Sequence, residues 1–351
     1  MIKRLIYSLL ALTLVIAIGV GFWTWQGLQT LKKPVALNEP VLFEVPSGTS
    51  FNRVAFSMAE RGLVEDSLWL RIHARVEPAD ARIKAGQYEF VDGMSPRQML
   101  SMMVRGDVKH WSVTIIEGWT FTEMRQALAD ASRLQKQTRE WTDAQVMEAL
   151  GAEGQHPEGR FFPDTYAFTS QESDLDILRR AHERMQSVLE EEWQNRAEDL
   201  PYDTPYEALI MASIVERETG VPYERGEIAG VFVRRLQKGM RLQTDPTVIY
   251  GMGDKYQGRI TSRDLRTHTP YNTYRINGLP PTPIALPGKG AIHASLNPEP
   301  GESLYFVARG DGTHKFSRTL AEHQKAVREF QLNRRSDYRS FPAPETEGES
   351  D

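Results

Sequence analysis

The chain has 351 residues, which at about 150 per domain is long enough for two. Its 42 basic and 47 acidic side chains leave a formal charge of −5, without the basic field of a general nucleic-acid binder, so no nucleic-acid partner is expected. Cysteine is absent, which excludes disulfides, thiol nucleophiles, Cys-ligated zinc, iron–sulfur clusters and a lipidated N-terminal Cys.

Residues 5–25, LIYSLLALTLVIAIGVGFWTW, carry no charge. As a helix they span ~31 Å at ~1.5 Å per residue, the thickness of a bilayer core. Lys3 and Arg4 precede the run, so the positive-inside rule makes residues 1–4 a cytoplasmic stub, although Lys32 and Lys33 on the far side weaken the asymmetry. Trp23 and Trp25 lie where an aromatic belt would lie. A cleaved signal peptide has a shorter apolar region and small residues at the cut, and Phe22, Trp23 and Trp25 fit poorly there. A core helix is the third option. The expectation is a single uncleaved anchor in the inner membrane, with the bulk of the chain in the periplasm. Pro34 and Pro40 mark residues 26–40 as a linker.

Residues 41–106 read as a small β-α-α-β domain with a trailing helix. VLFEV (41–45) and GQYEFV (86–91) alternate as strands. Ser50 can cap a helix bearing Val54, Ala55 and Met58, with Gly62 past its end. Asp66 or Ser67 can cap a second with the stripe Leu68, Trp69, Ile72 and Val76, and Ser95-Pro96 opens a third. Residues 107–336 read as a larger mixed domain, so the fold class is α+β. VTIIEG (113–118) is a strand, a helix starts at Thr122, and 120–150 is a polar helical stretch. Glu158 to Tyr166 is a loop dense in aromatics. Helices follow at 174–195, 206–219 (stopped by Gly220), and 226–238. Residues 243–253 and 271–290 look irregular, 303–317 is a hairpin turning at Asp311-Gly312, and a charged helix follows from Leu320. The acidic tail, 337–351, is expected to be disordered.

No Walker A, G-x-G-x-x-G or G-x-S-x-G occurs. The eight histidines show no metal-ligand spacing, so no metal and no cofactor are expected; His268, His293 and His314 remain candidates for ligand contact. The strongest signal is LIMASIVERETG (209–220), an apolar helix ending in two carboxylates. Residues two apart point ~200° from each other, so Glu216 and Glu218 cannot face one site. Glu218 shares a face with Met211 and Val215, and Glu216 one with Leu209, Ala212 and Ser213. Burial and the negative end of the helix dipole both raise a carboxyl pKa, as a general acid requires. These residues alone do not choose between the two, nor exclude two solvated charges beside Arg217 and Arg225. The loops add paired Tyr, Asn, Gln, Thr and Asp, a composition suited to sugar: aromatic faces for rings, amides and hydroxyls for substituents.

ASIVERETG, RLQTDPTVIYGMG, YNTYRINGLPP and EGRFFPDTY resemble the signature blocks of the YceG-like family of murein transglycosylases. The resemblance runs from the anchor to the last helix. It implies a LysM-like unit at 41–106 and a catalytic domain at 107–336. The implied activity is internal cleavage of nascent peptidoglycan strands at the MurNAc–GlcNAc bond, leaving 1,6-anhydro-MurNAc ends. Coupling to peptidoglycan synthases is also implied. The catalytic carboxylate falls on Glu218, with Glu216 as runner-up. Gln243, Thr244, Asp245, Tyr250, Asn272 and Tyr274 are the expected substrate residues, with Asp245 positioning. Glu158, Asp164 and Asp245 are the candidates for a second acid. The chain departs from the family at Thr282, where Gly is usual, and at Leu286 before Pro287-Gly288. A water-using muramidase and a membrane-tethered peptidoglycan-binding adaptor are the rival readings.

Overall fold

A computed structural model of the chain describes residues 2–332. The tail expected at 337–351 lies outside them. The chain mixes helices with short strands in two-stranded sheets, as an α+β protein does, and divides into two compact units. The first runs from the N-terminus to Trp111 with Ala167–Glu172. The second takes Ser112–Tyr166 and Ser173 onward.

In the first unit, α1 (Ile2–Thr30) is an apolar helix whose Lys3–Thr30 stretch is long enough to cross a membrane. Side chains 3–23 are all exposed. The uncharged run predicts a helix ending near residue 25 and a linker from 26. The helix instead continues to Thr30, since no proline interrupts it and its last turns find a partner. Trp23 meets the edge of Trp69 at 4.7 Å, and Gly27 lies so close beneath the same indole that a Cβ there would collide with it. Leu31 is already in the core.

Strand β1 (Val41–Val45) pairs antiparallel with β2 (Gly86–Phe90), from Val41 opposite Phe90 to Val45 opposite Gly86. Between them lie α2 (Phe51–Glu60) and α3 (Ser67–Val76), and α4 (Pro96–Arg105) follows. Asp66 caps α3 through Leu68 N at 2.8 Å, and Ser95 with Gln98 forms a capping box on α4. Ser50 stands at the N-cap of α2 but makes no side-chain cap bond. On α3 the buried residues are Ser67, Trp69 and Leu70, while Val76, at the helix end, is 67% exposed. Phe43, Tyr88, Phe90, Met58, Met99 and Met103 fill the core, and the Tyr88 hydroxyl is satisfied by Lys84 O at 2.7 Å. Truncating one such aromatic to Ala costs about 3–5 kcal/mol.

The second unit holds Ser112–Thr114 of β3 (Trp111–Thr114) and Thr165–Tyr166 of its pairing strand β4 (Thr165–Phe168). The stretch 120–150, read as one helical run, is two helices. These are α5 (Phe121–Asp130) and α6 (Asp143–Ala149), each opened by its own capping box, Thr120 with Glu123 and Thr142 with Gln145. The loop between them is anchored by buried Asp174, which accepts from Thr138 N at 3.0 Å and Thr138 Oγ1 at 2.9 Å. Next come α7 (Asp174–Gln194), α8 (Pro205–Glu218) and α9 (Arg225–Gln237). Thr204, Pro205 and Glu207 start α8 with a capping box and proline at its first turn. Every residue from Ala208 to Val215 is buried, so α8 is the central rod of the core rather than an amphipathic surface helix. Its stop is Thr219, which turns extended (φ −144°, ψ 136°); Gly220 is not left-handed.

The segment 243–253, expected to be irregular, contains α10 (Asp245–Met252). Pro246 falls in its first turn, where the missing N–H costs nothing, and the N-cap residue Thr244 is extended. A short α11 (Ser262–Arg266) and α12 (Lys289–Leu296) frame the Pro-rich loop. Antiparallel β5 (Tyr305–Ala308) and β6 (His314–Ser317) form the expected hairpin, and α13 (Leu320–Val327) follows.

Candidate active site

The last turn of α8 sends its two carboxylates into different surroundings. The Glu216 side chain is 5% exposed. It accepts the Gly288 N–H at 2.9 Å and lies 3.2 Å from Arg225 Nη2, which also reaches Glu117 at 3.4 Å. Burial pushes this carboxyl up, and the N–H and guanidinium pull it back. Both oxygens are committed: one ties α8 to α9, the other to the start of α12.

Glu218 instead lines a cavity of ≈480 Å³. That volume falls within the ~300–1,000 Å³ typical of ligand sites. Gln243, Thr244 and Asp245 line it at the start of α10, Tyr274 from the following loop, Arg235 from α9, and Tyr305 and His314 from the hairpin. The Thr244 hydroxyl donates to Glu218 Oε1. Desolvation and the Asp245 charge push the Glu218 carboxyl up to about 7, against the opposing pull of Thr244 and Arg235. The carboxyl therefore titrates near neutrality and can both give and take a proton there.

Thr244 is itself held by buried hydroxyls. Its N–H donates to Thr273 Oγ1 at 3.0 Å, Thr247 and Thr273 hydroxyls meet at 2.9 Å, and Thr247 Oγ1 donates to Thr244 O at 2.8 Å. The residue before it, Gln243, is left-handed (φ 52°), a strained conformation for a side chain with a Cβ. Asp245 accepts the Tyr274 hydroxyl at 2.6 Å, and burial pushes that phenol up.

Four of the six expected substrate residues thus share the Glu218 cavity: Gln243, Thr244, Asp245 and Tyr274. Two do not line it. Asn272 is 1% exposed, and its amide donates to Asp264 O, Leu265 O and Thr267 O while its oxygen accepts Tyr274 N. It braces its own loop. Tyr250 faces the other side of α10, edge-on to Tyr271 at 4.9 Å, and donates to Glu158 at 3.0 Å. Glu158 also accepts Phe121 N at 2.9 Å, and burial pushes it up to about 7. Neither Glu158 nor Asp164 lines the cavity. At Thr282 the hydroxyl is absorbed by Tyr271 Oη at 2.8 Å and Pro283 O at 2.8 Å, so the departure from the motif is accommodated locally.

Arg235 escaped the sequence reading. It is 7% exposed, its guanidinium donates to Leu304 O at 2.7 Å and Leu242 O at 2.6 Å, and it lies over the Tyr305 ring at 5.1 Å. The signal was its place on the buried stripe Ile228, Phe232, Arg235, where a charge must have a structural or chemical reason. Thr247 and Thr273, both 0% exposed, lie inside the QTDPTVIYG and YNTYRINGLPP blocks, where nothing in the sequence marks them as buried. Of the three histidines, His314 lines the cavity and His293 bonds Glu192 at 2.8 Å; His268 does neither.

Known proteins share this architecture's sequence. The profile of the YceG-like family matches residues 43–329. An endolytic murein transglycosylase of Bacillus subtilis is 29% identical over 307 residues, covering 83% of this chain and 84% of that protein. One from Streptococcus pneumoniae is 26% identical over 369 residues, covering 93% of this chain but 65% of its own length, just under two thirds. A crystal structure of a YceG-like protein from Listeria monocytogenes is 28% identical, with 82% of this chain and 99% of that chain covered and a TM-score of 0.49. The family profile runs through both the small β-α-α-β unit and the Glu218 cavity, and the chain belongs to the YceG-like family.

Proposed function

We propose that the chain is an endolytic murein transglycosylase, anchored in the inner membrane by α1, that cuts nascent glycan strands from the periplasmic side and so ends their elongation. The names of the Bacillus and Streptococcus relatives support the reaction. The observation that carries the assignment is one carboxyl, Glu218, held near neutral acidity on the wall of a polar cavity. Protonated Glu218 donates to the oxygen joining MurNAc to GlcNAc, and positive charge develops at the anomeric carbon. The substrate's own acetamido group stabilises that centre. Ionised Glu218 then takes the proton of the C6 hydroxyl as O6 closes onto the anomeric carbon. The glycosidic C–O bond breaks, a new C–O bond forms, no water is consumed, and the acid ends as it began. In this scheme Thr244 orients Glu218, Asp245 and Tyr274 hold the sugar, and Gln243 lines its path.

The unit holding β1, α2, α3, β2 and α4 is a LysM-like glycan holder in this reading, supported by its element order. Lys3 and Arg4 at one end of α1 support a cytoplasmic N-terminus. Peptidoglycan synthases are the proposed partners, since they supply the nascent strand.

The test is mass spectrometry of products from the purified full-length chain in detergent acting on glycan strands. Internal cleavage with 1,6-anhydro ends is expected. Hydrated reducing ends alone would make the protein a muramidase, and tight binding without any cleavage would make it an adaptor.

A further inference from the structure

Among the polar groups of the Glu218 cavity, His314 has an unusual mounting. His314 opens β6 and lines the cavity; Glu224, just after α8, is 6% exposed and does not. One Glu224 oxygen accepts the His314 backbone N–H at 2.8 Å, and the other meets His314 Nδ1 at 2.7 Å. The Thr219 hydroxyl approaches that second oxygen at 3.5 Å. A carboxylate so used offers the ring only an acceptor, so Nδ1 carries a proton, and with a single proton on the ring Nε2 is the acceptor. Phe306 stands perpendicular to the ring at 5.4 Å and Phe316 flanks it at 6.5 Å, which fixes its plane.

What is left over is Nε2. It has no hydrogen-bond partner among the described residues, and it is not one of the sealed, unsatisfied polar atoms. The ring lines the cavity, and its Nε2 is not sealed inside the protein. A histidine placed only to satisfy Glu224 would not need an open acceptor, and one placed for packing would not need a buried carboxylate to set its tautomer. Glu224 also contacts Thr219, the residue next to Glu218, so a single carboxylate registers the imidazole against the end of α8.

We propose that His314 is a further substrate-contacting residue of this cavity. Its Nε2 accepts a hydrogen bond from a hydroxyl or acetamido N–H of the sugar whose bridging oxygen faces Glu218, with Glu224 as its positioning residue. The inference rests on the glycan reading of the cavity. It adds a polar contact from the hairpin to those at the start of α10, Thr244 and Asp245.

Two variants separate contact from scaffolding. Asn at 314 keeps a donor near Nδ1 for Glu224 but removes the distal acceptor; Gln restores an acceptor near Nε2. With the full-length chain and glycan strands, H314N is expected to lower kcat/KM about thirtyfold at unchanged Tm, the loss of one good ligand hydrogen bond. H314Q is expected to recover most of that. H314N within about threefold of wild type, or H314Q no better than H314N, overturns the proposal. A measurement free of folding defects uses E218Q chain labelled with ¹⁵N-histidine, titrated with a glycan-strand tetrasaccharide. The His314 Nε2 resonance should move, and an unmoved resonance at saturation overturns the contact. If the wild type releases no 1,6-anhydro ends, the glycan reading fails first; if it does and H314N is unaffected, only this inference fails.

Discussion

The surroundings of Glu216 and Glu218 differ more than their positions do. Both leave the same helix turn, both feel the negative end of the α8 dipole, and both lose solvent. At Glu216 the protein returns a guanidinium and a backbone N–H, so the charge is compensated and the side chain becomes a joint between helices. At Glu218 it returns one hydroxyl and the pull of Arg235 without a hydrogen bond, with Asp245 nearby raising the cost of ionisation further. The lesson is that burial alone does not make an acid reactive. The partners supplied after burial decide whether the proton stays exchangeable.

Exchanging each acid for its amide tests that contrast most severely. E218Q is expected to lower kcat for release of anhydro ends by about 10³-fold or more, within the range for losing a general acid–base, with the fold intact by circular dichroism. An active E218Q beside a dead, well-folded E216Q would reverse the two roles. E216Q should instead act on stability. Removing one partner of its buried pair leaves Arg225 with only the exposed Glu117, and urea unfolding at neutral pH should show a loss of about 3 kcal/mol. The kcat of the folded fraction should stay within about fivefold.

The same contrast has a pH signature. The Glu218 pKa is raised from 4.5 to about 7, so its contribution is harmless below the unfolded value and costs stability as pH rises through the folded one. E218Q should therefore match wild type near pH 4 and exceed it by about 2 kcal/mol above pH 8, after allowance for the side chain's partial exposure. Equal stabilities at every pH would mean that the charge is compensated after all. The smallest effect concerns the strained neighbour. Q243G and Q243A both delete the side chain, but only Gly relaxes the left-handed backbone, so Q243G should be the more stable by about 1 kcal/mol on thermal unfolding.

Local chemistry was readable in advance where one segment decides it. The 41–45 strand, the Ser95-Pro96 helix start and the Asp311-Gly312 turn each follow from a few adjacent residues. So did the opposed directions of the two glutamates, which need only helix geometry. The α10 helix was hidden because Pro246 and Gly251 look like breakers, yet proline in a first turn is favourable. Composition misled at Asn272 and Tyr250, since the side chains that suit a sugar also suit a loop's own carbonyls and a buried carboxylate. Arg235 reaches the cavity from α9, and a contact made only by tertiary folding leaves no short motif to find.

The helix end at Trp23 and Gly27 has a mechanical meaning. A flexible tether would let the first domain wander over a hemisphere above the bilayer, with its reach set by chain entropy. Here the last turns of α1 are seated on Trp69, and the swivel point is gone. If α1 spans the membrane as proposed, the β1–β2 domain stands at a fixed height and azimuth, like an instrument bolted to a deck. Tilt of the helix in the lipid would then become tilt of that domain, and bilayer thickness a variable that the protein outside the membrane can feel.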